Sequence, residues 1–467
     1  MSTFETLTGQ IKNPRSRMFR KLYIKRRVQT TGLYETEWQE ISGDVIKWGT
    51  IKKEIDAAKL NSFKFSPVTI TMSNHTGKYN PYEDENSLWN GYGEQQRTLV
   101  KVTAGFLYQE LNDGVWTNIE LPGNSYWDEE SYWDVDQHLW DAENTVFVGF
   151  ITGDINLAGT NQVNFTISPL TESFRQFAAR RLSGYTASLT ASDFVTLLRD
   201  QQDSNGNYVF RPFFGDTTTN WTINTTTAIY ANLNTSTAED VIKATAWEII
   251  EKLAEAENKV PFATLDGQFK FVSRNINTTT TFEFYGGGGF SSEYGTTIKK
   301  IDWYGKRHSK YYSRVQIQFR SDDTSSSYAV QQSQYLVSGN SSPWTLGERT
   351  LEITNYWIPT STVADTLALD IFNEYNALKY EIEFTTSFVP HLDLLDQVAI
   401  TYDSTPPSAQ SLWDVYNWGD TTTAIVPDDL LWDESAGDAL KLAGKEFKLI
   451  SIAINMDTAE VKFIGRE

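Results

Sequence analysis

Apolar and polar residues alternate along the first third of the chain. The segments KLYIKRRV (21–28), FKFSPVTITMSN (63–74) and RTLVKVTAGFLYQ (97–109) show this two-residue period, and Gly, Asn and Pro residues separate them. Such alternation is typical of β-strands that are buried on one face. Residues 145–170 predict a further pair of strands. The pattern therefore predicts a compact β-barrel domain over residues 21–170.

The period changes to that of helices in the middle of the chain. Residues 235–259 predict one long helix with an apolar stripe, and Ser236 with Glu239 could form a capping box at its start. The following segment, 260–274, contains Asp-Gly between two apolar runs, which is a strong hairpin signal. Short helices are also predicted over 170–182 and 191–202. These elements define a middle α+β domain over residues 171–299.

Alternation returns in the last third of the chain. Strands are predicted over 311–323, 328–339, 380–389, 394–404 and 445–467, and one helix, 361–379, interrupts them. This pattern predicts a second β-barrel domain over residues 300–467. The chain is thus expected to be mainly β, with two barrels that flank a helix-and-hairpin region.

The ends of the two predicted barrels resemble each other. FVGFITGDINLAGTNQVNFTIS (147–168) and FKLISIAINMDTAEVKFIG (447–465) are both hairpins with Ile-Asn at the end of the first strand, and an acidic stretch rich in Trp-Asp precedes each. These matches predict an internal duplication with an insertion in the same loop of each copy, at 121–144 and 404–444. The alternative is that any two hairpins look alike over twenty residues.

The Trp-Asp pairs form the most unusual motif of the sequence. They are Trp127-Asp128, Trp133-Asp134, Trp140-Asp141, Trp413-Asp414 and Trp432-Asp433. Their gaps of six and seven residues in the first stretch exclude a propeller, which needs one pair per ~40–45-residue blade. We expect packed, turn-rich interaction loops with partly buried rings. A sugar-binding groove stays open as an alternative, and so does a glycosidase with two carboxylates.

Charge is distributed unevenly along the chain. The 467 residues carry a net charge of −20, which argues against general binding to nucleic acid phosphates. Residues 1–30 nevertheless hold eight Lys and Arg against one acid, whereas residues 81–145 hold fourteen acids. We therefore predict a basic N-terminal arm over residues 1–20. We expect this arm, at its end next to the first barrel, to contact a neighbouring subunit. The candidate contact residues are Arg15, Arg17, Arg20 and Lys21.

The sequence contains no recognisable catalytic or ligand-binding constellation. The chain has no cysteine, and its four histidines stand apart without a second ligand at metal-binding spacing. The run Gly286–Gly289 lacks the Gly-Lys-Ser/Thr of a phosphate-binding loop. We therefore predict no enzyme activity, no catalytic residue, no cofactor and no metal. No stretch approaches the length of a membrane span, and no secretory signal is evident.

The succession of barrel, helix-hairpin middle and barrel resembles the hub proteins of bacteriophage tail tips and baseplates. The segments that carry this resemblance are 42–56, 65–74, 246–271, the predicted helix 361–379 before YEIEFTTS, 394–404 and 448–467. One departure is visible: many hub proteins have Pro-Gly-Asp before the strand that corresponds to 397–401, and this chain has Leu394-Leu395-Asp396.

The resemblance implies a homotrimer in which two tube-type barrels per chain make a ring of six. Such a ring would lie in the virion between a six-fold tail tube or distal tail protein and three-fold spike, fibre or tip proteins. It would be made in the cytoplasm of the bacterial host and would let DNA pass through an acidic lumen without specific binding. The alternative function is a carbohydrate- or receptor-binding tail protein that uses the Trp-Asp loops.

Overall fold

The structure is a computed structural model with an extensive set of β-strands. It describes residues 16–56, 62–80, 85–92, 96–112, 115–118, 144–153, 161–215, 218–274, 279–287, 297–320, 326–332, 347–376, 378–389, 391–404 and 440–467. The strands of the first half are β1 Ser16–Lys25, β2 Gln39–Glu40, β3 Val45–Lys47, β4 Thr50–Asp56, β5 Ser62–Phe65, β6 Val68–Ser73, β7 Leu99–Asn112, β8 Val115–Asn118, β9 Asn144–Ile151, β10 Gln162–Pro169 and β11 Trp221–Ile223.

The remaining strands and the α-helices follow in chain order. The strands are β12 Lys259–Ala263, β13 Phe269–Ser273, β14 Thr280–Gly286, β15 Ile298–Lys306, β16 Arg314–Arg320, β17 Ser326–Gln332, β18 Thr350–Thr354, β19 Tyr380–Ser387, β20 Gln397–Asp403, β21 Lys441–Asn455 and β22 Glu460–Arg466. The helices are α1 Glu172–Arg175, α2 Ala191–Asp200, α3 Arg211–Phe214, α4 Glu239–Ile242, α5 Ala246–Ala256 and α6 Ser361–Tyr375. No helix in these ranges is long and apolar enough to cross a membrane.

The first barrel is a curled sheet with the strand order β2-β1-β7-β9-β10-β6-β3. Its two edges, β2 and β3, belong to one stretch of chain, 39–47, which spans from β1 to β6. Between them Ile41 N donates to Leu22 O at 2.8 Å. The stretch 39–47 therefore acts as one strand between β1 and β6. Counted in this way, the curled sheet has six strand positions around it, namely β1, 39–47, β6, β10, β9 and β7. Alternate residues of β6, including Ile70 and Met72, point into the core and are fully buried.

The second barrel is a ring of six paired strands. The order runs β20-β14-β15-β19-β22-β21, and β21 also pairs with β20. Phenylalanine side chains fill the interior. The ring centroids of Phe284 and Phe384 lie 5.1 Å apart, and Phe463 lies 5.4 Å from Phe384. Such distances are typical of packed aromatic pairs.

The two barrels share one strand order. When the six positions are numbered along the chain, the first barrel uses β1, β2–β3, β6, β7, β9 and β10, and the second uses β14, β15, β19, β20, β21 and β22. In both, the neighbours around the barrel are 1-2-3-6-5-4 and back to 1. One difference is the direction of the first strand: β1 is antiparallel to its neighbours, whereas β14 is parallel to both. The shared order is what an internal duplication predicts.

Insertions occur at equivalent connections of the two barrels. The Trp-Asp segments both fall between the fourth and fifth strands, and all ten Trp and Asp residues of the motif lie outside the described residues. A second pair of insertions falls between the second and third strands. In the first barrel this connection forms the hairpin β4–β5, and in the second it forms β16, β17, β18 and α6.

The middle of the chain packs around one phenylalanine. Phe174 lies within 4.8–6.4 Å of other rings, centroid to centroid, namely Phe210, Phe214, Trp221, Trp247 and Phe269. The predicted hairpin at 260–274 is confirmed as β12 and β13, with Gly267 at φ +86° in the turn. Only Gly adopts that conformation freely.

The single long helix predicted over 235–259 is wrong. The structure has two helices, α4 and α5, and the capping box is formed by Thr245 and Glu248 instead of Ser236 and Glu239. The break has a tertiary cause. Ala246 N donates to Phe177 O at 2.9 Å and Ala179 N donates to Ala244 O at 3.1 Å, so this stretch pairs with another segment and leaves the helical path. The predicted helix 170–182 likewise shortens to one turn, α1.

The structure also moves three of the predicted boundaries. Strand β1 begins at Ser16, so residues 16–20 of the predicted arm belong to the first barrel. Strand β14 lies before residue 300 but pairs with β20 of the second barrel, and helix α6 ends at Tyr375. Which barrel a strand belongs to is determined by its pairing with strands far away in the sequence. The local alternation of apolar and polar residues does not show that pairing.

Candidate functional site: the junction between the two barrels

A hairpin from the first barrel extends the sheet of the second barrel. Strand β4 pairs antiparallel with β21, and the register places Ile51 opposite Ile454 and Lys53 opposite Ile452. The second half of β21 faces β4, while its first half faces β20. Backbone hydrogen bonds therefore connect the two barrels directly, which restricts their relative motion more than side-chain contacts would.

A buried ion pair lies at the centre of this junction. The side chain of Lys53 is 1% exposed, and its ammonium donates to Asp393 Oδ1 on the connection between β19 and β20. Desolvation by burial lowers the pKa of Lys53, while the charge of Asp393 acts in the opposite direction. Removing one partner from such a pair leaves a buried charge without compensation.

The carboxylate of Asp393 joins three parts of the chain. It accepts from Lys53 of the first barrel, from Leu265 N of the middle hairpin at 3.0 Å, and from Leu394 N of its own loop at 2.5 Å. Sequence reasoning missed this residue. The available signal was Lys53, which occupies an apolar phase of the alternating strand TIKKEID between Ile51 and Ile55.

The loop that carries Asp393 has a constrained backbone. Leu395 has φ +70°, the left-handed region that favours glycine, and Leu395 N donates to Leu449 O of β21 at 2.9 Å. This is the middle position of Leu394-Leu395-Asp396, where many hub proteins have glycine. Leu395 is 2% exposed, so burial of its side chain offsets the conformational cost of roughly 1–2 kcal/mol.

Asp396 completes the buried acidic pair of this loop. Its Oδ2 accepts from Asp393 N at 2.7 Å. Burial raises the pKa of Asp396 to about 6, and the neighbouring charge of Asp393 adds to that effect. The carboxyl group therefore changes protonation close to neutral pH.

A second contact lies at the turn between β21 and β22. The carboxylate of Asp457 accepts from Trp48 N at 2.9 Å and from Gly49 N at 3.1 Å. Gly49 has φ +75°, and a Cβ there would come within 2.6 Å of Thr69 O. Only glycine fits this close approach of backbones.

Aromatic rings fill the space between the barrels and the middle domain. Phe63 of β5 lies 6.1 Å from Phe262 of the middle hairpin, and Phe65 lies 5.2 Å from Phe147 of the first barrel. Gly267 in the hairpin turn lies against Val148 of β9. The hairpin β4–β5 thus contacts all three regions of the chain.

The predicted subunit-contact residues fall partly within this junction. Arg15 lies outside the described residues, and the structure describes only the backbone of Arg17, which pairs with Leu107. Arg20 donates to Met456 O and lies 5.8 Å from the Trp48 ring, so it contacts the second barrel of its own chain. Lys21 lies 5.6 Å from the Phe19 ring. Their contact with a neighbouring subunit stays a prediction.

The chemistry of the junction is that of a structural joint. Within the described ranges, no group of three or more His, Asp or Glu side chains could hold a metal ion. The half-buried carboxylates Asp393 and Asp396 lie together, and they accept hydrogen bonds from backbone and ammonium donors of the same chain. The arrangement holds two barrels in a fixed relation.

No family model and no curated relative matches the sequence. Solved structures with a similar fold include a tail protein from Neisseria meningitidis (TM-score 0.47, 8% identity, 96% of each chain covered) and a 43 kDa prophage tail protein from Shewanella oneidensis (0.45, 10%, 96% of this chain and 98% of that one). A prophage tail protein from Listeria monocytogenes is also similar (0.45, 9%, 96% and 94%). These are tail proteins, the class that the sequence resembles.

Proposed function

We propose that this chain is the structural hub of a phage tail tip or baseplate and that three copies form a ring of six barrels. The observation that carries the proposal is the shared strand order of the two barrels within one chain. A chain with two equivalent barrels occupies two equivalent positions of a closed ring. Three copies then present six-fold symmetry to a tail tube and three-fold symmetry to a spike, fibre or tip protein.

The junction supports this role because a ring requires a fixed angle between neighbouring barrels. Pairing of β4 with β21 and the bonds of Asp393 fix that angle inside each chain. A flexible linker would leave two barrels free to take many relative positions, and closing the ring would then cost conformational entropy. The joint removes that cost before assembly.

The charge of the chain suits the passage of DNA through the ring. With a net charge of −20, a bore rich in Asp and Glu would repel phosphates and would avoid sites that retain DNA. The exposed cation Lys462 on β22 of the second barrel is compensated locally. Lys462 lies 2.6 Å from Glu383 and 3.4 Å from Asp302, nitrogen to oxygen.

Electron microscopy of the purified chain, or of tail particles that contain it, tests the proposal. We expect class averages with six barrels and overall three-fold symmetry, located in the virion at the tail tip. A surface-potential map of that ring should show an acidic bore. A chain that stays monomeric in both preparations contradicts the hub proposal, and a bore lined mainly by Lys and Arg contradicts the DNA-passage mechanism.

The proposed role of the basic arm has its own experiment. Because β1 is described from Ser16 onward, deletion of residues 1–15 keeps every described residue of the first barrel. We expect the truncated chain to fold with unchanged circular dichroism but to attach poorly to the tail or to form fewer trimers. Unchanged assembly would show that Arg15 and the residues before it make no contact that assembly requires.

The second candidate function is binding of a carbohydrate or receptor by the Trp-Asp segments. It is favoured by their position, since both segments fall in the same connection of their barrels and a ring would present them repeatedly. Binding to a glycan array that is lost on replacing Trp127, Trp133 and Trp140 with Ala would support it. Turnover of a glycan that is abolished by a single Asp or Glu replacement would indicate a glycosidase instead.

A further inference from the structure

The insertion in the second barrel forms a small sheet covered on one side by a helix. The sheet has the order β17-β16-β18, and α6 packs against β16 and β17. The covered face is apolar and buried, and its residues are Val315, Ile317, Phe319, Ala329 and Ile353. Asn355 anchors the sheet to helix α5, because its side-chain amide donates to Lys252 O at 3.1 Å and to Glu255 at 3.0 Å. The sheet is therefore a rigid platform.

The opposite face of this sheet is not covered by the helix and carries a small uncharged patch with exposed apolar residues. Two rows of residues cross it, Tyr328-Gln318-Thr354 and Val330-Gln316-Glu352. Tyr328 is 56% exposed and Val330 is 38% exposed. Glu352 is the charged residue of these two rows, and Arg314 follows on the same face at the start of β16. An uncharged centre with exposed aromatic and aliphatic residues and charges at its border is typical of protein interfaces.

The first barrel shows what the equivalent insertion does. Between its second and third strands the chain forms β4–β5, which leaves the first barrel and docks on the second barrel. The β16–β18 sheet emerges from the same connection of the second barrel. In a ring of alternating barrels, the next surface beyond the second barrel is the first barrel of another copy.

On this basis we propose that the open face of the β16–β18 sheet, centred on Tyr328 and Val330, binds the first barrel of the next copy of the chain. The inference rests on the proposed ring and specifies which surface closes it. The contact between subunits would then involve the same topological position as the contact inside each subunit.

Charge introduced on this face tests the inference in the full-length chain. We expect the double variant Tyr328→Lys/Val330→Lys to fold normally but to dissociate at concentrations at least ~10-fold higher than wild type, because two cations would be buried without partners. Light scattering coupled to size exclusion measures the mass, and circular dichroism checks the fold. Leu369→Lys is the matched control, since Leu369 is 45% exposed on helix α6 away from the open face.

Cross-linking identifies the partner surface independently. With Tyr328→p-benzoylphenylalanine in assembled rings made from light and heavy copies, we expect mixed-isotope cross-links to residues 16–170. Cross-links to the second barrel of another copy, or to a different tail protein, would overturn the inference. Rings that stay assembled in the Tyr328→Lys/Val330→Lys variant would overturn the inference as well. In each of these cases the hub proposal stands, whereas a wild-type chain that never forms a ring contradicts the hub proposal itself.

Discussion

Breaking the buried ion pair at the junction should separate the two barrels. Replacing Lys53 with Met removes the ammonium and leaves the Asp393 carboxylate, whose side chain is 15% exposed, without its cation. Loss of one partner from a buried pair costs about 3–5 kcal/mol. Opening of β4 from β21 should become easier by that amount, which corresponds to roughly 100-fold or more in an equilibrium constant.

Hydrogen exchange of the amides in β4 and β21 measures this opening directly. We expect exchange in both strands to accelerate by roughly two orders of magnitude or more in Lys53→Met, while the interior of the first barrel changes little. The double variant Lys53→Met/Asp393→Leu removes both charges and should recover much of the loss, because apolar replacements of similar volume are tolerated at such sites.

The neighbouring lysine provides the control for this experiment. Lys52 lies on the same strand, its side chain is 47% exposed, and it pairs with Glu54 at 2.9 Å. An exposed pair contributes about 0–1 kcal/mol, so Lys52→Met should leave exchange almost unchanged. Equal effects of the two single variants, or a double variant as labile as Lys53→Met, would show that the buried pair does not hold the junction.

Three further predictions concern single side chains. The raised pKa of Asp396, about 6, means that the folded chain holds a proton that the unfolded chain has lost, so stability should fall as pH rises from about 4 to 6. Asp396→Asn should remove that dependence and stabilise the protein at pH 8 by up to about 3 kcal/mol in urea unfolding, and an unchanged pH profile would contradict the assignment. The Gly49→Ala variant should melt at a clearly lower temperature than the Gly91→Ala variant. Both glycines have positive φ, but of the two only Gly49 lacks space for a Cβ. Equal decreases in melting temperature for the two variants would exclude the clash. Thr245→Ala should lower the free energy of unfolding by about 1 kcal/mol through loss of the α5 cap, whereas Ser236→Ala should lower it little. A larger loss for Ser236→Ala would instead support the single long helix predicted from the sequence.

The sequence predicted the barrels because one face of each strand is buried. Alternation along β6 translated directly into buried Val68, Ile70 and Met72, with exposed Thr69 and half-buried Thr71 between them. The order of the strands could not be predicted from the sequence, because pairing between residues hundreds of positions apart leaves no local pattern. The duplication was visible only where the final hairpins match, at 147–168 and 447–465.

Failures of the sequence-based predictions have a common physical cause. Residues 239–256 have helical periodicity throughout, yet tertiary pairing at Ala244 and Ala246 breaks the helix there. Leu395 takes a glycine-like conformation because its buried side chain compensates for it. Lys53 gave a weak signal as a charge at an apolar position, but nothing local indicates that Asp393 is its partner. In each case a distant contact overrides a local preference.

The pairing of β4 with β21 also has a consequence for when the protein becomes competent to assemble. Strand β4 is synthesised early, but its partner residues, 451–455, follow about 400 positions later. The ribosome adds roughly 5–20 residues per second, so the hairpin β4–β5 waits for tens of seconds without its docking strand. The fixed angle between the two barrels therefore arises only after translation has passed residue 455. In the proposed ring, a nascent chain would carry the first barrel before it has the geometry that closing the ring requires.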